Sequence, residues 1–475
     1  MTPPSLNQLL CQLPGAQTIG QCSQPILRVH TDSRSLQAGD LFVALRGERF
    51  DAHDFLPQAA AQGAVAALAH SGLAAAGLPG VQVPDTRLAL GELARSWRAQ
   101  FALPLIAVTG SNGKTTVTQM LAALLRADAG QAHTLATQGN LNNDIGVPLT
   151  LLRLRPEHRH AVVELGMNHP GEIEYLARIA QPTVALVNNA QREHQEFMGT
   201  VQAVAAENGA VLASLGANGV AVFPSDDTFT PLWRTLAGAA RVLSFSDTDP
   251  QADVHLRQAQ WQDGAWQLHA RTPAGDLHAS VALAGRHNLR NALAAVACAL
   301  AAGVPLDAVA RGLASFQAVA GRSRVLQLPV GGPSGPVLTL VDDTYNANPD
   351  SVLAAIDLLA ELPGPHLLVL GDMGEVGEQG LAFHLEVLRH ARHRGLTAVY
   401  CAGQWMAQAT AALQAAGEPA PTHWPEVAEL AAALPSQLAG VRSVLVKGSR
   451  FMRMERVVQA LQAPFNPSTK DAHAA

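Results

Sequence analysis

Lysine is nearly missing from this chain of 475 residues: among 32 basic side chains only Lys114, Lys447 and Lys470 are not arginine. Where positive charge alone is needed Arg serves, so a Lys kept against that bias marks chemistry that wants a compact ammonium. Lys470 lies in the polar run STKDAHAA, whereas the other two sit inside motifs. Cysteine is scarce as well. Cys11, Cys22, Cys298 and Cys401 are scattered, with no CxxC pair, which excludes a disulfide scaffold or a Cys-built zinc site and fits a reducing cytoplasm. Long apolar runs are absent, because the Ala- and Gly-rich stretches are broken by His, Pro or Asn; no membrane insertion is expected. MTPPSLNQLL also lacks the basic-then-apolar order of a secretory signal. Nor is there a basic excess: 32 Lys+Arg against 38 Asp+Glu leave a net charge of −6, with no tract for nucleic acid. What the chain has is apolar surface, 48% hydrophobic against 15% charged residues, which rules out a disordered polymer. At about 150 residues per domain its length predicts roughly three domains.

Patterning supports that division. Residues 1–84 mix short strands and turns, ILRVHTDSRSL and GDLFVALRGERFDAHDF, with an Ala-rich helix and GVQVP. From Asp85 a helical run leads to the apolar strand LPLIAVTG. Strands and helices then alternate to about residue 320: HAVVELG, PTVALVNNA, GVAVFPS, a β-richer stretch through 283, and helices over NALAAVACALAAGV and DAVARGLASF. Such alternation predicts a largely parallel sheet with covering helices. After Gly321 a second set follows: VLTLVDDT, a helix from Ser351, HLLVLGD, a helix near 380–393, TAVYCAG, and VRSVLVKGS with a closing helix. It predicts a smaller doubly wound, Rossmann-like domain. The expected fold is α/β, with domains at 1–84, 85–320 and 321–463 and a disordered tail at 464–475.

The motif richest in chemistry is TGSNGKTT at 109–116, which follows a strand and opens a helix. Gly110 and Gly113 let backbone N–H groups turn inward at the positive end of that helix. Lys114 can reach terminal phosphates and the Thr115 hydroxyl can bind magnesium. The glycines are three apart, closer than in GxxxxGK[ST], because position 108 is Val. Glu164 and His194 fall where strands of the same sheet should end, the place where open α/β sheets bind ligands. A carboxylate and a neutral imidazole suit magnesium shared with phosphate oxygens, although His194 alone reads as readily as an ordinary loop histidine. GRHNLRNALAA sets Asn288 and Asn291 on one helix face, either as a polar cap or as a ligand contact. DDTYNANPDS at 342–351 packs carboxylates, Tyr345 and two Asn after a strand, with Ser351 able to cap the next helix. VKGSR at 446–450 repeats strand, Lys, Gly and hydroxyl, an anion loop or a solvated one.

Taken together, TGSNGKTT, GNLNNDIGVPLTLL, AVVELG, GRHN…NALAA, DDTYNANPDS, GDMGEVGE and VKGSR resemble the Mur ligases in order and spacing, over about 1–460. TDSR and GDLFVALRGERFDAHDF resemble that family's N-terminal uridine-nucleotide domain. Within the family, GNLNNDIGVP and DDTYNANPDS resemble the branch that adds D-alanyl-D-alanine to a UDP-N-acetylmuramoyl-tripeptide. The resemblance implies an ATP- and Mg2+-dependent, amide-forming ligase of peptidoglycan precursor synthesis, working as a cytoplasmic monomer through an acyl phosphate. The tripeptide's third residue can be diaminopimelate or lysine. The resemblance assigns Thr109, Gly110, Ser111, Asn112, Gly113, Lys114, Thr115 and Thr116 to the nucleotide, with Asn288 and Asn291 on adenine and Arg322 and Asp343 on ATP. Thr115 and Glu164 would hold a first magnesium ion and His194 a second, Lys114 acting beside them. Ser33, Arg34, Arg46 and Gly47 would grip the uridine nucleotide, and Asn140, Asn142 and Asn143 the muramoyl peptide. Tyr345, Asn346, Asn348, Lys447 and Arg450 would face the dipeptide or phosphate.

One departure stands out. Mur ligases commonly carry a carbamylated lysine on the helix after the His loop, and here that position is Asn208, within VAAENGAV. Either the adjacent Glu207 supplies the missing carboxylate or nothing does. The two side chains point about 100° apart on a helix, which weighs against a simple replacement.

Two rivals exist. A nucleotide-dependent switch would need no acceptor site and commonly shows NKxD, which is absent. Folylpolyglutamate synthase shares the loop and the ligase chemistry, but TDSR and GDLFVALRGERFDAHDF argue against it.

Overall fold

The computed structural model describes residues 4–329 and 337–463; the tail at 464–475, expected to be disordered, lies outside them. Three sheets follow one another along the chain. The first has five strands in the order Gln17–Ile19, Gly80–Gln82, Ala66–Ala69, Asp40–Val43, Arg28–His30, all parallel except Gln17–Ile19.

The central sheet has nine strands. From one edge they run Gly275–Val281, Ala265–Thr272, Val254–Gln262, Arg241–Ser246, Val220–Pro224, Val184–Val187, Leu105–Thr109, His160–Glu164, Thr134–Ala136. The six strands from Thr134–Ala136 through Arg241–Ser246 are parallel. The β-rich stretch before residue 283 extends them as an antiparallel hairpin pair. Leu105–Thr109 is buried along its whole length, as befits a strand covered on both faces. One covering layer is the helix Lys114–Ala129 beside Arg286–Ala301, whose Ala run lets helix and sheet approach closely. Each Leu or Val removed from water there contributes about 1.5–3 kcal/mol.

Leu105–Thr109 lies between His160–Glu164 and Val184–Val187, so the chain leaves it first to one side and then to the other. That switch point opens a crevice at the strands' C-terminal ends, and the loop 110–113 stands in it.

The third sheet runs Arg324–Pro329, Val337–Asp343, Ser443–Lys447, His366–Gly371, Val399–Ala402, Thr422–Trp424. Its doubly wound core agrees with the expectation. The antiparallel edge strand Arg324–Pro329 and the short Thr422–Trp424 are additions, too brief and too weakly alternating to read from pattern.

The helix Thr86–Arg98 joins the first two sheets. Asp85 caps it through the N–H groups of Arg87 and Leu88 (2.8 and 3.0 Å). Leu90 and Leu93 share one apolar cluster with Leu10 and Val81 on one side and Leu151 and Leu176 on the other. Arg98, buried, donates to the carbonyls of Ala180 and Gln181, each at 3.1 Å. No helix among the described residues is long and apolar enough to cross a membrane.

Candidate active site

A cleft of about 1460 Å³ lies between the central and third sheets. It is lined by the loops after Leu105–Thr109, His160–Glu164, Val184–Val187, Val337–Asp343 and Ser443–Lys447.

The glycine loop is shaped from behind. Gly113 has φ +82°, and a Cβ there would meet Asn291 Oδ1 at 2.4 Å, so both torsion and space demand glycine. Three loop N–H groups are spent internally: Gly110 on Asn208 Oδ1 (2.8 Å), Ser111 on Asn189 O (3.2 Å) and Asn112 on Asn189 Oδ1 (2.9 Å). The first turn of Lys114–Ala129, by contrast, has no side-chain cap, and Lys114, Thr115 and Thr116 line the cleft. An uncapped helix start of this kind is an anion site. The expected nucleotide contacts at Thr109 and Gly110 therefore become supports. Neither lines the cleft, and Thr109 Oγ1 donates to the carbonyls of Leu186 and Asn208 (2.9 and 3.1 Å). Asn288 and Asn291 share a face as expected, but as links in a buried amide chain. Asn291 Nδ2 reaches Asn288 Oδ1, Asn188 Nδ2 reaches Asn291 Oδ1 (both 2.9 Å), and Asn188 Nδ2 also holds Asn112 O (2.8 Å).

Lys114 Nζ donates to Gly110 O, Ser111 O (3.3 Å) and Glu193 Oε2 (3.0 Å). Glu164 is 3% exposed; its Oε1 accepts from Asn142 Nδ2 (2.8 Å), while its Oε2 is buried without a partner. An orphaned carboxylate oxygen is costly unless a cation completes it. Thr115 Oγ1, taking a bond from Arg322 (3.0 Å), and His194 also line the cleft. The two oxygen donors fit one magnesium ion and the imidazole a second, each keeping several waters.

His194 and Glu375 each adopt positive φ (47° and 58°), and His194 Nδ1 lies 2.5 Å from Glu375 Oε2. His194 holds the Glu375 carboxyl below the usual range. Two non-glycine residues in the left-handed region facing one another is strain placed at a site.

Across the cleft Lys447 Nζ bonds Asp343 Oδ2 (2.6 Å) and Asn346 O (2.9 Å). VKGSR is thus a held loop, not a solvated one. Arg322 stacks on Tyr345 at 3.9 Å from its centroid, and Arg450, exposed, pairs with Glu455 (3.2 Å). Asn348, not Ser351, caps Pro349–Glu361: its Oδ1 accepts from Ser351 N–H, with Ser351 answering as the third residue of a capping box. Asn348 Nδ2 also reaches Asn112 Oδ1 (2.9 Å).

Asn140 and Asn142 line the cleft, and the Asn143 side chain, which also borders it, accepts from Gly146 N–H (2.9 Å) and holds the turn that leads into Gly146–Leu151. Ser33, Arg34, Arg46 and Gly47 are not among the lining residues. They follow the adjacent parallel strands Arg28–His30 and Asp40–Val43, at the ends where a sheet offers a separate crevice.

Glu207 settles one expectation against itself. Both its oxygens are taken by the N–H groups of Gly171 and Ile173 (2.9 and 2.8 Å), at the start of Glu172–Ala180. It points away from the phosphate loop.

Sequence reasoning passed over Glu193, Asn188 and Arg192. Arg192 binds Asp350 (2.7 Å) and Glu386 (2.7 Å), tying the central sheet's loop to the third domain; Asp350 first, then Glu386, outweighs burial and raises its pKa. Only the polar density of QREH after a strand could have pointed to them.

Comparison with known proteins decides the lineage. Residues 25–98, 108–299 and 328–450 match, in turn, the Mur ligase family catalytic domain, the Mur ligase middle domain and the Mur ligase glutamate ligase domain. The UDP-N-acetylmuramoyl-tripeptide–D-alanyl-D-alanine ligase of Escherichia coli is 42% identical over 91% of this chain and 93% of its own. The chain belongs to the Mur ligase family. A crystal structure of MurF from Acinetobacter baumannii superposes on this Mur ligase with a TM-score of 0.87, at 36% identity, covering 97% of this chain and 99% of the other. MurF ligase from Thermotoga maritima in complex with ADP gives 0.79 at 27% identity, over 92% and 97%.

Proposed function

We propose that this Mur ligase joins D-alanyl-D-alanine to UDP-N-acetylmuramoyl-tripeptide, driven by ATP, in peptidoglycan precursor synthesis. The observation that carries the reading is a single cleft shared by an uncapped, lysine-bearing helix start, an orphaned carboxylate oxygen on Glu164 and a polar loop at 343–348 of the third domain. A phosphoryl donor and an acceptor can meet there, and their relative placement lowers the barrier before any chemistry occurs.

In the first step a carboxylate oxygen of the tripeptide attacks the γ-phosphorus and the bond to the β-γ bridging oxygen breaks, releasing ADP. In the second the dipeptide amine attacks the acyl carbon, and phosphate leaves with the former carboxylate oxygen while the amine loses its proton. Lys114 and the first-turn amides stabilise charge on the transferring group. Asn142 orients Glu164, and Asn188 and Asn291 brace the loop. Thr115 and Glu164 would hold one magnesium ion and His194 a second, which would supply neutralising charge for the phosphates. Arg322, from the third domain, stands on the ATP side with Asp343, which Lys447 holds in place, and Tyr345, Asn346, Asn348 and Arg450 stand on the dipeptide side. Closing the cleft excludes water from the acyl phosphate. Dependence on ATP supports a cytoplasmic setting.

ADP release should require the UDP-sugar tripeptide and D-alanyl-D-alanine together. ATP turnover indifferent to both would indicate a nucleotide switch, and turnover with a folate and glutamate would indicate the other ligase class; either result rejects the proposal.

A further inference from the structure

We propose that Glu193 is the carboxylate that faces the second magnesium ion of the nucleotide site, a permanent charge in the place where other Mur ligases use a modified lysine. The inference rests on the nucleotide-site reading above. Glu193 is 5% exposed yet lines the cleft, next in the chain to His194. Its Oε2 lies 3.0 Å from Lys114 Nζ, and its Oε1 has only Asn208 Nδ2, at 3.4 Å.

Two features make a purely structural role inadequate. Lys114 already has Gly110 O and Ser111 O as acceptors, so the ammonium is held without Glu193. A buried ion pair is also weak evidence for stability, since apolar replacements often do as well. Electrostatics supplies the stronger reason. A carboxylate 3.0 Å from the lysine that must meet the γ-phosphate cancels that lysine's charge and repels the incoming phosphate. The arrangement becomes favourable once a divalent cation sits among carboxylate, imidazole and phosphate, because oxygen donors and anionic charge are what magnesium prefers.

The two replacements that the sequence offers near the lost lysine are closed. Glu207 caps Glu172–Ala180 with both oxygens. Asn208 cannot be carbamylated; it spends Oδ1 on Gly110 N–H and offers Nδ2 to Val204 O and Glu193. Asn208 therefore orients the carboxylate and pins the loop.

The test counts Mn2+ bound to the full-length protein at saturating β,γ-methylene-ATP, by electron paramagnetic resonance of the free ion. Wild type should hold two ions per nucleotide. Glu193→Gln, nearly isosteric, should keep the first and weaken the second by about tenfold or more, the scale on which even outer-sphere partners move metal affinity. Glu193→Asp, a shorter carboxylate, should recover part of the loss. A second ion bound by Glu193→Gln at wild-type affinity, with only nucleotide affinity lowered, would show that Glu193 merely positions Lys114 and overturns the inference. Wild type that takes one ion overturns this inference and leaves the nucleotide-site reading standing, and wild type that takes none overturns both.

Discussion

Lys447 ends the strand Ser443–Lys447 and Lys114 stands in the loop-to-helix junction after the strand Leu105–Thr109; each is followed closely by a hydroxyl residue, and each meets a carboxylate. Their settings differ in what lies next to the ammonium. Lys114, 15% exposed, opens a sixteen-residue helix whose first amides carry no cap. Lys447, 4% exposed, is followed only by a short 3-10 turn, and its charge is consumed by Asp343 at 2.6 Å and by Asn346 O. A lysine placed after a strand thus becomes a phosphate group's partner where helix amides converge with it, and a structural bolt where a carboxylate closes on it.

The largest expected effect lies on the first side of this comparison. Lys114→Ala should leave the chain folded and cut kcat by about 10²–10³ or more, the cost of losing one preorganised donor. Lys114→Arg should fail as well, since a planar fork cannot replace a point ammonium in a tight glycine loop; near-normal kcat in that variant would contradict the reason given for this lysine. Lys447→Met should do the converse. Leaving Asp343 buried and unpaired should destabilise the protein by about 3–5 kcal/mol in denaturant titration, and Lys447→Met with Asp343→Leu should regain much of it.

The same pair has a pH signature. Burial pushes the Asp343 carboxyl up, but Lys447 outweighs it and the net pKa lies below the usual value. The pair's stabilisation is complete above about pH 3.9, the unfolded value, and is lost as pH falls through the depressed one. Acid titration of Lys447→Met should lack that loss. Arg192→Ala, which cuts the tie from the His194 loop to Asp350 and Glu386 in the third domain, should be milder, about fivefold in KM for a partly exposed network worth about 1 kcal/mol. Glu207→Ala should be smallest, about 1 kcal/mol of stability from a lost helix cap, with magnesium dependence unchanged.

Much of this was legible from residues close in sequence. The strand before TGSNGKTT, the helix after it and the polar loop at 342–351 are local patterns, and each stands where expected. Lysine scarcity singled out Lys114 and Lys447, but not their opposite fates, because Asp343 and Glu193 reach them only through sheet order. Asn208 read as a lost modification site; its bond to Gly110 N–H, across 98 positions, has no periodic signal. Ser351 reads as able to cap this helix, and Asn348 does so instead, because both residues of a capping box look alike in sequence.

The account's central claim is that the Lys114 loop passes a phosphoryl group to a carboxylate. Oxygen-18 placed in the terminal carboxylate of UDP-N-acetylmuramoyl-tripeptide tests it directly. With ATP and D-alanyl-D-alanine, the phosphate released by the wild-type enzyme should carry one labelled oxygen per amide formed. Unlabelled phosphate accompanying normal amide formation would mean that no acyl phosphate exists and would contradict the account.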